Sequence, residues 1–156
     1  IKPIPKVEEK VTEISKSIVK RENMIIYLLI NHFQETYEKI VTNITVEDFK
    51  LKTNKIIFEK ILESPAEDSE KLIQTLANIE DTDIQSHISE ILVTDYEINS
   101  VEKCIEDLII IYNKERLTNK KMEIIKRLDD KNLSKEEIAN LENELSNIII
   151  ELAKRK

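Results

Sequence analysis

Two histidines, one cysteine and a crowd of carboxylates are the residues of this sequence that could do chemistry. His32 and His87 stand too far apart to form a local metal motif, and neither has a second histidine or a cysteine at ligand spacing, so no metal site is expected. His87, in the run Asp83-Ile84-Gln85-Ser86-His87-Ile88, has the setting of a phosphoacceptor in a histidine phosphotransfer bundle, but no lysine of the kind such domains place near it is close by. A helix-surface histidine is the plainer reading. Between Glu63 and Glu97 ten acids face a single base, Lys71. A general acid and base pair needs one carboxyl held in an apolar pocket, and nothing in the pattern points to one. The acids that follow Ser64 and Thr82 fit first-turn helix positions, where the dipole favours negative charge, and the whole group reads as a solvated face that could meet a basic partner. Cys104 lies four residues before Leu108 on an apolar stripe and reads as a core residue rather than a nucleophile.

Composition removes further chemistry. The chain has no glycine, so phosphate-cradling loops and nucleophile elbows, which need a backbone free of Cβ, have no means of forming. One cysteine allows neither an intrachain disulfide nor a thiolate cluster, which makes a reducing compartment, the cytoplasm, the expected location. The net charge of −7, from 31 acids and 24 bases, argues against nucleic acid as the main partner. The longest apolar run, Met24 to Ile30, is far short of the roughly 20 residues of a membrane span, so no membrane partner is expected. Pro3 and Pro5 give the opening a stiff, non-helical spacing, and residues 1 to 15 read as a linker remnant of a longer protein.

The elements expected to position these residues are all helices. Leu, Ile, Glu and Lys dominate and aromatics make up 4%, which suits aliphatic helix packing. Thr45 with Asp48 resembles a capping box and predicts a helix from near Val46; Ser64, Pro65 and Glu67 predict another start, as do Thr82 with Gln85 and Thr94 with Glu97. Ser134 with Glu137, flanked by Leu133 and Ile138 as a staple, predicts a terminal helix from Lys135. Ile18, Ile25, Leu28, Leu29 and Phe33 form one apolar stripe, Ile56, Ile57, Ile61 and Leu62 another, and short helices are expected around Leu72 to Leu76 and Ile84 to Leu92. The fold expected is all-α: a helical bundle over residues 16 to 95, joined by a long helix to a C-terminal antiparallel helical hairpin, the last two covering residues 96 to 156. A weakening of the apolar pattern at Thr118-Asn119 suggests a break in the long helix. Charge follows the same division: residues 1 to 98 carry 19 acids and 12 bases, residues 99 to 156 twelve of each.

The apolar residues of the hairpin are the best candidates for function. Ile138, Leu141, Leu145, Ile148 and Leu152 step by three and four, the period of a narrow helix seam. Ile148, Ile149 and Ile150 run consecutively and cover most of a helix circumference, so at least one of them is expected to stay exposed. An exposed aliphatic patch on such an element is what a partner-binding surface needs.

The ending Leu133-Ser134-Lys135-Glu136-Glu137, continuing through Leu141, Leu145 and Ile149 to Glu151-Leu152-Ala153-Lys154, resembles the end of bacterial DnaG-type primases, where a Leu-Ser-x-Glu-Glu turn opens a last helix closing in Glu-Leu-Ala-Lys. Cys104-Ile105-Glu106-Asp107-Leu108 is similar to that family's long connecting helix, and Arg21 to Leu29 to the opening of its helicase-binding domain. The resemblance implies a non-catalytic helicase-binding domain that docks primase onto the N-terminal domains of the hexameric replicative helicase at the replication fork. In it the bundle modulates helicase and primase activity, and the hairpin supplies much of the grip. It further implies that Leu133, Ile138, Leu141, Leu145, Ile148, Ile149 and Leu152 carry partner contacts. This segment would use no cofactor; zinc and magnesium belong to the primase's other domains, the parent chain being a DNA-directed RNA polymerase. The N-terminal domain of a replicative helicase, which has a related helical fold, and a phosphotransfer bundle centred on His87 are the alternatives.

Overall fold

The strongest local signal, Ser134 with Glu137, forms as its sequence requires. The backbone N–H of Glu137 donates to Ser134 Oγ at 3.1 Å and the N–H of Ser134 donates to Glu137 Oε1 at 3.1 Å, closing both halves of a capping box. A computed structural model describes residues 14–155, and among them every regular element is helical. In chain order these are α1 (Lys16–Asn31), α2 (Phe33–Asn43), a 3-10 turn (Val46–Asp48), α3 (Lys52–Glu63), α4 (Ser69–Ala77), α5 (Thr82–Val93), α6 (Val101–Leu128) and α7 (Lys135–Lys154). The expected linker, residues 1 to 15, falls almost wholly outside the described residues. The fold is all-α.

The chain divides into two compact units, one extending to Ile109 and the other taking Ile110 onward, so the division falls inside α6. In the first unit α1 is the central element. Ile25, Ile26, Leu28 and Leu29 are buried on it, which leaves little of its surface for water, and α2, α3, α4 and α5 all pack against it. Phe49 and Phe58 pack with ring centroids 4.7 Å apart, and Ile57, Ile61, Leu72, Ile91 and Ile105 complete the buried interior.

Several helix starts differ from the expectation, each for a visible reason. Thr45 and Asp48 do form a capping box, but they nucleate only a 3-10 turn, because the chain becomes extended at Phe49, whose side chain is fully buried. The start predicted at Ser64 is displaced to Ser69. Asp68 provides the cap by accepting from Lys71 N at 2.8 Å, and Ser69 Oγ donates to the carbonyl of Ile30. Asp81, not Thr82, caps α5, while the side chain of Gln85 turns away to donate to the carbonyls of Leu76 and Ile79, both at 2.8 Å. Thr94 and Glu97 start no helix: Thr94 ends α5, and α6 begins only at Val101, where Lys103 N donates to Ser100 Oγ. The break expected at Thr118-Asn119 does not occur. Thr118 Oγ1 donates to the carbonyl of Lys114 four residues earlier, and α6 runs through it unbroken over 28 residues, about 42 Å at 1.5 Å per residue.

In the second unit, the remainder of α6 and α7 fold back along one another. The connection between Leu128 and Lys135 is short, and Lys120 pairs with Glu144 at 3.1 Å, an arrangement that only antiparallel helices allow. Ile124, Leu141 and Ile148 are the buried centre of this pair, with Leu117, Leu128, Leu133, Leu145 and Leu152 packed half-buried around them.

Candidate docking surface

Two rows of α7 compete for its apolar residues. Leu141 and Ile148, seven residues apart, lie on the seam and are each 5% exposed, so their surface is spent on the unit's own core. Leu133, Leu145 and Leu152 are shared between that core and solvent, and Ile138 is half-buried as well. Ile149, one step past Ile148, is turned out of the seam and is 49% exposed. At 100° per residue, Ile138, Leu145, Ile149 and Leu152 fall within one narrow stripe along the flank of α7.

The facing helix extends this flank. Ile125 lies one step past the buried Ile124, and in an antiparallel pair the same rotational sense leads to the same side on both helices. Ile125, 41% exposed, therefore shares a side with Ile138 and Ile149. Ile150 (54%) faces away from that side, toward the back of α7, while Met122 (59%), three residues before Ile125, borders it. Of the seven residues expected to carry partner contacts, Leu141 and Ile148 hold the pair together, and Ile149 offers the most free surface. Ile125, Ile150 and Met122 were not among the candidates. The triple isoleucine signalled Ile150, but no periodicity on α6 alone says which side of Ile124 remains open.

The residues that could do chemistry are otherwise engaged. His87 Nε2 sits 2.9 Å from Asn54 Oδ1. Asn54 Nδ2 donates to Glu22 Oε1 at 3.2 Å and to Asn23 Oδ1 at 2.9 Å, so Asn54 Oδ1 must be the acceptor and the imidazole carries its proton on Nε2. Burial pushes the pKa of His87 below that of an ordinary histidine, partly opposed by Glu90 and Glu22. The nitrogen that a phosphoryl group would need is held in a structural contact. Burial raises the pKa of Cys104, with Asp107 adding to the effect, and its Sγ lies 3.2 Å from Met24 Sδ, the setting of a packing residue rather than a thiolate. Among the described residues no group of three His, Cys, Asp or Glu side chains is placed to hold a metal ion, and no helix is long and apolar enough to cross a membrane. The acids between Glu63 and Glu97 are almost all solvent-exposed, and Asp68 and Asp81 among them serve as helix caps.

Comparison of the chain with protein-family models, with curated proteins and with solved structures finds no match. The surface itself is left as the guide to function.

Proposed function

We propose that this chain is a non-catalytic docking module that binds the N-terminal domains of a hexameric replicative helicase and so brings a DnaG-type primase to the replication fork. The observation that carries the reading is Ile149, turned out of the seam beside the buried Ile148 and aligned with half-buried Ile138 and Leu145 and with Ile125 of the facing helix. Aliphatic side chains held at half exposure on a helix flank gain most when a second protein covers them. The pattern Leu133 to Lys154, with its likeness to the end of DnaG-type primases, supports the choice of partner. The first unit, which holds most of the negative charge, is assigned a modulating role on helicase and primase activity, and the module works in the cytoplasm without a cofactor of its own.

The test is co-sedimentation of the whole chain with the cognate hexameric helicase. A saturable complex that survives moderate salt is the expected result, since the grip is apolar. A helicase that fails to retain the chain at micromolar concentrations of both proteins contradicts the proposal.

A further inference from the structure

The first unit carries an apolar groove that the docking reading does not use. It lies between α4 and α5, encloses about 190 Å³, and has Ile30, Leu76 and Ile88, all nearly fully buried, as its floor. Its two lips are Ile73, 49% exposed, and Leu92, 40% exposed, with Ala77, Gln85 and Ser89 completing the walls. A lone exposed isoleucine on a helix is ordinary; two large, half-exposed aliphatic side chains lining one open apolar groove are not.

Charge says what fits there. Both walls belong to the segment from Glu63 to Glu97, in which ten acids face one base. That base, Lys71, lines a different cleft with Lys60, Glu63 and Glu80, on the other side of α4. Glu70 stands one turn before Ile73 on the same face of α4, and Asp95 follows the C-terminal end of α5 close after Leu92. No cation lines the groove, so an acidic partner helix would be repelled and a basic one attracted over the range of a Debye length, roughly 8 Å at physiological ionic strength. The nine residues of α4 span about 13 Å, the reach of two to three helical turns.

We propose that this groove is a docking site for a basic amphipathic helix of a partner protein, whose aliphatic stripe seats between Ile73 and Leu92 while its lysines or arginines lie over the acidic rim. The site is independent of the α6–α7 flank.

A fluorescently labelled peptide of about fourteen residues, with leucines at i, i+3, i+4 and i+7 and lysines on the remaining face, is the probe, titrated into the whole chain by anisotropy. Saturable binding that weakens with salt and falls at least about tenfold in the Ile73→Ser, Leu92→Ser double variant is the expected result. Glu70→Gln is expected to weaken it less, and Ile149→Asp to leave it unchanged, which separates this site from the helicase reading. Both lips are substantially exposed, so the double variant is expected to keep its helical signal; if it does not, Ile73→Lys, which retains a long aliphatic stem but adds repulsion, serves in its place. Equal binding of the same peptide with glutamates for lysines, or an affinity indifferent to the lip substitutions, overturns the proposal. So does concentration-dependent self-association that the double variant abolishes, because it would give the groove to a second copy of the chain.

Discussion

Glu22 on α1 and Asn54 on α3 are both fully buried, and they hold each other through Asn54 Nδ2 and Glu22 Oε1 at 3.2 Å. The same carboxyl group also accepts the backbone N–H of Lys50 at 2.5 Å and of Leu51 at 3.2 Å, just where the chain enters α3. No side chain of the local sequence caps this helix, so a residue 28 positions away in the sequence satisfies the approach to it and places negative charge at its positive end.

Glu22→Ala removes one acceptor group and leaves without it the buried Asn54 Nδ2 and the part-buried N–H groups of Lys50 and Leu51. Each unsatisfied buried donor costs about 1–3 kcal/mol, so the first unit is expected to lose about 3 kcal/mol or more. At about 4–8 °C per kcal/mol for a unit of this size, the melting temperature should fall by more than about 10 °C. Glu22→Gln, which keeps one acceptor oxygen, is expected to fall between the two. A thermal melt by circular dichroism in which Glu22→Ala unfolds with the unsubstituted chain would show that the network is not what positions α3.

His87 completes the network from α5, and its lowered pKa fixes the sign of a pH effect. In the folded chain the neutral imidazole is favoured by burial, while in the unfolded chain the histidine takes up its proton at the ordinary value of 6.5. The unfolded state therefore gains protons first as pH falls. The contribution of His87 is fully present above about pH 6.5 and declines on acidification below it, levelling off once the folded form also protonates. Urea unfolding at pH 7.5 and 5.5 should show a loss of stability that His87→Gln reduces. The groups facing the imidazole, Glu90 and Glu22, both pull the other way, so an effect of the opposite sign would mean that they outweigh burial.

Glu97 has φ of 54°, the left-handed region, in a chain without a single glycine to occupy it. Its N–H donates to Asp95 Oδ1 at 2.8 Å, which holds the turn between α5 and α6 in place. Substitution by glycine relieves the Cβ contact at the cost of greater freedom in the unfolded chain, for a net gain of up to about 1 kcal/mol. Glu97→Val, β-branched, should instead destabilise by about 1–2 kcal/mol. Chemical denaturation of the two variants checks the pair, and a glycine variant less stable than the parent contradicts the account of this turn.

What could be read in the sequence was local. Ser134 and Glu137 answer each other within one turn, and α7 begins where they place it. The stripes of α1 and α3 were legible for the same reason, since burial repeats with the helical period. What failed was decided from a distance. Asp68 rather than Ser64 caps α4, with Ser69 fixed to Ile30 from another helix, and Gln85 is drawn to the carbonyls that close the preceding helix. Glu22 gave no sequence signal at all, because an isolated acid inside an apolar stripe announces neither Lys50 nor Asn54. The same limit governs the docking surface. The run Ile148-Ile149-Ile150 promised at least one exposed side chain, and only the position of α6 decides that Ile148 is covered while Ile149 and Ile150 are not.

The two exposed isoleucines of that run make the sharpest comparison. They are adjacent, equal in chemistry and similar in exposure, yet only Ile149 shares a side with Ile125, Ile138 and Leu145. The central claim is that this flank grips the helicase, and affinity of the whole chain for the cognate hexamer, measured by isothermal calorimetry for Ile149→Asp and Ile150→Asp, tests it most directly. Ile149→Asp is expected to weaken binding by about 2 kcal/mol or more, some thirtyfold, and Ile150→Asp to stay within about twofold of the parent, both with an unchanged helical signal. Equal losses from the two, or none from Ile149→Asp, would contradict it.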